Sequence, residues 1–114
     1  MAKATGIGGV FFRVGDTKAL SQWYETHLGI SNYWEQGAGL TVFQPFERQS
    51  SYFAADRQFM LNFRVDDLTA LIGQLQAAGI AVETRPDEWD SAEAGRFARI
   101  HDPEGNPIEL WQPA

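Results

Sequence analysis

Three side chains near the end of the chain, Arg99, His101 and Glu109, are of types that can carry chemistry. A carboxylate and an imidazole on neighbouring strands can share a divalent cation, and a carboxylate alone can act as a general base. The sequence neighbours of Glu109 are apolar, and an unpaired carboxylate in such surroundings takes up a proton or finds a cationic partner. Arg13 and Arg64 are further candidate partners. Two interpretations of Glu109 therefore stay open: a ligand contact, or a structural ion pair with an arginine on another strand.

These side chains lie on a predicted hairpin that spans the last twenty residues, from Gly95 to Ala114. The run Asp102-Pro103-Glu104-Gly105 predicts its turn, because Pro already has the φ of the second turn position and Gly tolerates the left-handed closing position. Side chains alternate between the two faces of a strand, so one face is predicted to be apolar and to pack on a helix. The opposite face can form the wall of a ligand cup. The apolar face contains Ala98, Ile100, Ile108 and Leu110, and the cup face contains Phe97, Arg99, His101, Glu109 and Trp111.

The chain also contains an internal repeat. The segment Met60–Asp67 matches Gly9–Asp16 at an offset of 51 residues and shares Phe, Arg, Val and Asp in register. Apolar residues at helical spacing follow each segment. Asp16 and Asp67 are predicted to cap these helices at their start. The first set predicts a helix from about Thr17 to Leu28, followed by Gly29, which suits the left-handed position after a helix. The second set ends at Gly79, 50 residues after Gly29. We therefore predict an α+β fold built from two copies of one unit, neither of which can bury its sheet alone.

The remaining segments are less regular. Gly9–Val14 alternates as a half-buried strand does, and Thr41–Pro45 resembles Glu109–Pro113, which predicts a final strand in each unit. The middle strands of the first unit, around Ile30–Gln36, are expected to be short or missing. A connector is predicted at Phe46–Arg57 and an acidic surface loop at Glu83–Glu93.

Composition limits the class of protein. With 114 residues, 44% of them hydrophobic and 13% aromatic, the chain suits one folded domain. It has no cysteine, which excludes disulfides and thiolate metal ligands. The net charge of −6 disfavours nucleic acid and anionic membrane as partners. No apolar run reaches the ~18 residues of a membrane span and no signal-peptide core is present, so a cytoplasmic location is expected.

The repeated strand-helix opening, together with the ending GRFARIHDPEGNPIELWQP, resembles the vicinal oxygen chelate superfamily. That superfamily groups glyoxalase I, extradiol dioxygenases, fosfomycin-resistance enzymes and bleomycin-resistance proteins. The resemblance covers nearly the whole chain. It implies two βαβββ modules, here at about 6–55 and 58–113, whose mixed sheets curl into a cup. It also implies that dimerisation completes the cup and that a ligand or a metal lies inside.

The resemblance further implies where a metal site would lie. Its metal ligands come from the first strand of each module and from the last strands, and these positions fall here on Gly9, Met60, Thr41 and Glu109. Only Glu109 binds divalent cations strongly, whereas an open zinc site normally has three protein ligands. A rebuilt site would pair Glu109 with His101. We therefore expect no full metal site and no cofactor; the alternative is a divalent metal such as Zn, Ni, Mn or Fe.

Four aromatic residues fall on the predicted cup side, where rings form either a core or dimer interface or the wall of a pocket for a flat molecule. The favoured hypothesis is a bleomycin-resistance-like protein that binds a small organic molecule in an aromatic cup as a homodimer. The alternative is a lyase, isomerase or dioxygenase of the glyoxalase type that uses Glu109 as its catalytic residue. The expected ligand-binding residues are Phe11, Phe43, Asn62, Phe97, Arg99, His101 and Trp111.

Overall fold

A computed structural model describes all 114 residues of the chain. None of its three helices has the length and apolar character needed to cross a bilayer. The elements in chain order are helix α1 (Thr17–Leu28), strand β1 (Leu61–Arg64), helix α2 (Leu68–Ala77), the one-turn helix α3 (Pro86–Trp89), strand β2 (Gly95–His101) and strand β3 (Pro107–Pro113).

The three strands form one mixed, open sheet in the order β1-β3-β2. Strand β3 is central: it runs parallel to β1 and antiparallel to β2. The predicted hairpin between β2 and β3 is confirmed, because the Gly105 amide donates to the Asp102 carbonyl at 2.9 Å. Gly105 has φ 80°, the left-handed conformation that the turn requires. The fold is therefore α+β, as expected.

The predicted apolar face of the hairpin is also confirmed. Ala98, Ile100, Ile108 and Leu110 are all 0% exposed. They pack with buried residues of the two longer helices, namely Leu20 and Tyr24 of α1 and Leu68 and Leu75 of α2. Full burial of one such aliphatic side chain contributes about 1.5–3 kcal/mol, so this layer is the main source of stability.

Both repeated helices begin and end with the predicted signals. The Asp16 carboxylate accepts the Ala19 amide and the Asp67 carboxylate accepts the Ala70 amide, each at 3.0 Å, which satisfies an amide without a partner inside the helix. Gly29, after α1, has φ 71° and Gly79, after α2, has φ 82°. Helix α1 has the predicted bounds.

The strands predicted for the first module are wrong for this single chain. Gly9–Val14 and Thr41–Pro45 lie outside every strand. Ile30–Gln36, where the middle strands were expected to be short or missing, also contains no strand. Phe12 and Val14 still pack against the core, so the alternation of Gly9–Val14 survives without a backbone ladder. The physical reason is that a strand needs a neighbouring backbone: without a middle strand, the first module offers none. The two-module architecture is thus visible only in part.

The predicted acidic surface loop Glu83–Glu93 is more than a loop. It contains helix α3, which begins at Pro86, a residue well suited to the first helical position. Glu83 forms a single antiparallel bridge with Arg99, through backbone hydrogen bonds of 2.9 and 2.8 Å, and so occupies the outer edge of β2. The helix places Trp89 half-buried beside that strand.

A buried carboxylate joins the first module to the hairpin turn. Asp102 is 4% exposed and accepts the Tyr24 hydroxyl at 2.7 Å. It also accepts two bonds from Asn106 and one from the Glu104 amide, between 2.8 and 3.0 Å. Burial, reinforced by the Asp102 carboxylate, raises the pKa of Tyr24 well above its ordinary value, so the phenol stays a donor.

Replacement of the Tyr24 phenol tests how much the Tyr24–Asp102 hydrogen bond stabilises the fold. Tyr24→Phe leaves the buried carboxylate short of one donor and is expected to lower the free energy of unfolding by about 1–3 kcal/mol. The matched control is Tyr33→Phe, because Tyr33 is 98% exposed. Urea unfolding followed by far-ultraviolet circular dichroism measures both. Equal stabilities of the two variants would contradict the role of the Tyr24–Asp102 bond.

Candidate functional site

The candidate site lies on the sheet face opposite the helices and is centred on Glu109. The backbone register sets Glu109 of β3 between Asn62 of β1 and Arg99 of β2. Because residues directly opposite each other point to the same face, all three side chains are close neighbours. Glu109 is 8% exposed, and its Oε1 accepts the Asn62 amide at 2.7 Å.

The second oxygen of Glu109 accepts the hydroxyl of Tyr52, which comes from the connector between the modules. Burial raises the pKa of Tyr52 to about 12, and the bond to the Glu109 carboxylate adds to the effect. Tyr52 therefore remains protonated and donates at neutral pH. This contact holds the connector over the sheet. Together with the Asn62 bond, it gives each oxygen of Glu109 a hydrogen-bond donor.

Arg99 is the most unusual member of the site. It is 6% exposed, and its Nη1 donates to the Tyr52 carbonyl at 3.1 Å. The guanidinium carbon lies 5.0 Å from the centroid of the Tyr52 ring and 5.4 Å from that of Trp89. Its Nε and Nη2 are buried without any hydrogen-bond partner. Glu109 forms no ion pair with an arginine, so the structural ion-pair interpretation is wrong for this chain.

Aromatic rings surround these polar groups. Phe97 and Trp111 face each other across β2 and β3 as stacked rings, with centroids 6.1 Å apart and an interplanar angle of 3°. The indole of Trp111 donates to the Ala94 carbonyl at 2.8 Å, which fixes its orientation. Phe46 contacts Tyr52 with ring centroids 5.6 Å apart. The face thus combines flat apolar surface with a small number of oriented polar groups.

Three residues expected to bind a ligand lie outside this cluster. Phe11 is 93% exposed and Phe43 is 87% exposed, both on first-module segments that lack strand pairing. His101 is exposed at the end of β2, opposite Pro107, and donates no hydrogen bond to Glu109. A role of these three in ligand binding stays a prediction. The structure does bring together Asn62, Phe97, Arg99, Glu109 and Trp111.

Two residues that complete the cluster, Tyr52 and Trp89, were missed by the sequence-based site prediction. Tyr52 belongs to a polar connector and Trp89 to an acidic segment, and neither follows a strand or helix period. The only signal was compositional. Trp89 is a large aromatic residue three positions after a helix-starting proline, in a stretch otherwise expected to face solvent.

The residues at the site do not fit the metal centre that the superfamily implies. No group of three or more His, Cys, Asp or Glu side chains is positioned to hold an ion. Both oxygens of Glu109 already accept hydrogen bonds from neutral donors. The corresponding first-strand positions, Gly9 and Met60, offer no side chain and a thioether, which do not suit hard or borderline divalent ions.

A cavity of about 190 Å³ lies beside the hairpin turn, away from this cluster. Arg57 lines it and donates to Asn106 and to the Glu104 carbonyl at 3.3 and 3.2 Å. No residue of the Glu109 cluster lines that cavity. That cavity is therefore separate from the face around Glu109.

Comparison with known proteins identifies the family of this fold. Residues 9–111 match the family model described as a glyoxalase-like domain. TnmS3, an antibiotic binding protein from Streptomyces sp. CB03234, is 25% identical, with 97% of this chain and 100% of that chain aligned and a TM-score of 0.58. A protein from the mobile metagenome of V. Pseudocholerae is 20% identical, with 97% and 98% aligned and a TM-score of 0.60. Among curated proteins, no sequence is significantly similar.

A third structure, an integron cassette protein from V. Cholerae, is 22% identical, with 89% of both chains aligned and a TM-score of 0.57. At these identities the two Vibrio structures support the fold alone. The mixed sheet and the helices packed on one face define the class as a small α+β cup-type domain. The chain belongs to the glyoxalase-like domain family of the vicinal oxygen chelate superfamily.

The raised pKa of Tyr52 makes stability depend on pH in the alkaline range. The folded state holds this proton more tightly than the unfolded chain, whose tyrosines ionise near pH 10. The contribution is therefore complete below pH 10 and is lost as the pH rises from 10 towards about 12. We expect the unfolding free energy of Tyr52→Phe to fall less steeply than that of the wild type over this window. Urea unfolding at stepped pH measures the two slopes, and parallel slopes would contradict the buried phenol–carboxylate contact.

Proposed function

We propose that this protein binds a small organic molecule on the aromatic cup face and does so without the metal centre of its enzymatic relatives. The observation that carries the proposal is the composition of that face. A nearly buried carboxylate that accepts hydrogen bonds from two neutral donors lies beside a stacked pair of aromatic rings. Small-molecule sites typically combine apolar and aromatic walls with a few oriented polar groups.

The comparison with TnmS3 supports this proposal. The resemblance extends over 97% of this chain and all of that one, and antibiotic binding is the property described for TnmS3. Its description therefore favours a ligand-binding role over a catalytic one for a chain of this size and fold. The identity of 25% does not carry over any particular ligand.

A catalytic role as a lyase, isomerase or dioxygenase of the glyoxalase type is less well supported. A general base must reach the proton that it removes, within about 3 Å or through one water. The Glu109 oxygens are instead engaged by Tyr52 and Asn62. No specific contact therefore favours the enzymatic alternative.

The ligand-binding proposal is tested by a thermal-shift screen of planar aromatic compounds, followed by calorimetry of those that stabilise the wild type. Trp111→Ala is expected to weaken their binding about two- to tenfold, because loss of a stacking ring costs about 0.5–1.5 kcal/mol. The matched control is Trp34→Ala, which should bind these compounds as the wild type does. Trp34 contacts Phe63, which packs against the core and not on the cup face. Binding that is lost equally in both variants, or absent from the whole screen, would contradict the proposal.

Elemental analysis of the purified protein tests whether a metal ion is bound. Purified wild type and Glu109→Gln are expected to carry the same trace amounts of Zn, Ni, Mn and Fe, well below one ion per chain. Titration with each metal should saturate neither protein at a single site. One tightly bound ion per wild-type chain that is lost in the variant would overturn the metal-free proposal.

We further propose that the cup is completed by a second copy of this chain. The first-module segments expose large apolar side chains on backbone that lies outside every strand. Strand β1 is paired on one side only, so a partner can add a strand at its outer edge. Exposed apolar surface of this extent marks an interaction site. The apolar residues that are at least half exposed include Val10, Phe11, Leu40, Val42 and Phe43.

Analytical ultracentrifugation at micromolar concentration tests the dimer. The wild type is expected to sediment at twice the chain mass of 12.8 kDa. Phe11→Asp combined with Phe43→Asp should give the monomer, because two charges would be buried in the interface. Gln22→Asp, on the exposed side of α1, should remain dimeric. A wild-type mass of one chain would contradict the proposal.

A further inference from the structure

We infer that the ligand of this cup carries a carboxylate, or an equivalent pair of parallel oxygen acceptors, on an aromatic body, and that Arg99 recognises it. The inference rests on the proposed ligand-binding function and specifies the chemical class of the ligand. It depends on which nitrogens of Arg99 lack partners, on what covers its faces and on the residues beside it.

The unpartnered nitrogens define one edge of the guanidinium. Arg99 has five N–H donors, and Nη1 uses its contact with the Tyr52 carbonyl. The nitrogens left without partners, Nε and Nη2, are adjacent and point in the same direction. Such an edge matches the two oxygens of a carboxylate in a bidentate pair. Burial of a cationic group with two unpartnered nitrogens is costly, so this edge is more consistent with a recognition element than with a packing element. Because the two nitrogens are buried, a ligand reaches them when Tyr52 or Trp89 moves aside.

The surroundings of Arg99 hold that edge in place. Tyr52 and Trp89 lie against the guanidinium at 5.0 and 5.4 Å, and the Tyr52 carbonyl fixes Nη1. Glu109, the nearest carboxylate by strand register, forms no ion pair with it because its oxygens accept from Tyr52 and Asn62. The positive charge of Arg99 is thus left for a group that the chain does not supply.

The spacing on the sheet indicates the shape of the ligand. Phe97 precedes Arg99 by two residues on the same face, which is roughly 7 Å along a strand. Trp111 stacks with Phe97 at 6.1 Å and extends the flat surface across the strands. A fused aromatic ring over Phe97 and Trp111 can therefore direct an attached carboxylate towards Arg99.

Isothermal titration calorimetry with 2-naphthoate and 2-naphthamide tests this inference. The two probes share ring and size, but only the carboxylate offers two equivalent acceptors and a charge. We expect the wild type to bind 2-naphthoate at least tenfold more tightly than 2-naphthamide. Arg99→Lys, which keeps the charge but removes the planar fork, should reduce that preference to less than threefold.

The matched control is Arg96→Lys. Arg96 lies on the same strand but is exposed and donates to Thr69 at 2.8 Å, on the helix side of the sheet. This variant should keep the wild-type preference for 2-naphthoate. The preference of the wild type is informative by itself, so the test stands even if Arg99→Lys fails to fold.

The failures of the two proposals are distinguishable. Equal affinities of the wild type for the two probes would overturn the role of Arg99 while leaving an aromatic binding cup in place. An unchanged preference in folded Arg99→Lys would overturn it as well. Absence of binding by both probes would overturn the carboxylate inference and also count against the proposed binding function.

Discussion

The arrangement depends on a carboxylate held at the middle of the central strand. Glu109 lies on β3, between the other two strands, and is almost fully removed from water. Such a group is tolerated only when its oxygens are satisfied, and here Asn62 and Tyr52 supply the donors. The contact with Tyr52 therefore holds the connector over this face of the sheet, the face to which we assign ligand binding.

The two faces of the sheet contribute differently to stability and to the proposed ligand binding. The helix side is filled by aliphatic residues that are fully buried and by the two capped helices, so stability resides there. The cup side holds hydrogen-bonded polar groups and stacked rings, and it is the face to which we assign ligand binding. Asp102 connects the first module to this frame through Tyr24. A binding function can thus vary on one face while the other preserves the fold.

The sequence predicted the parts of the fold that local patterns determine. Capping aspartates, left-handed glycines and the Asp-Pro-Glu-Gly turn specify their conformations within a few residues, and the alternation along β2 and β3 separated the core face from the cup face. The absence of strands from the first module was not predictable, because strand pairing depends on a neighbouring backbone and not on alternation alone. Tyr52 reaches the site from an irregular segment and Trp89 from the one-turn helix α3, and only tertiary contacts place them there.

The Tyr52–Glu109 contact couples the connector to the sheet. A double-mutant cycle with Tyr52→Phe, Glu109→Met and the double variant, followed by urea unfolding, measures this coupling. We expect a coupling free energy of about 1.5–3 kcal/mol, as for a hydrogen bond to a buried charged group. Additive effects of the two substitutions, within about 0.3–0.5 kcal/mol, would contradict it.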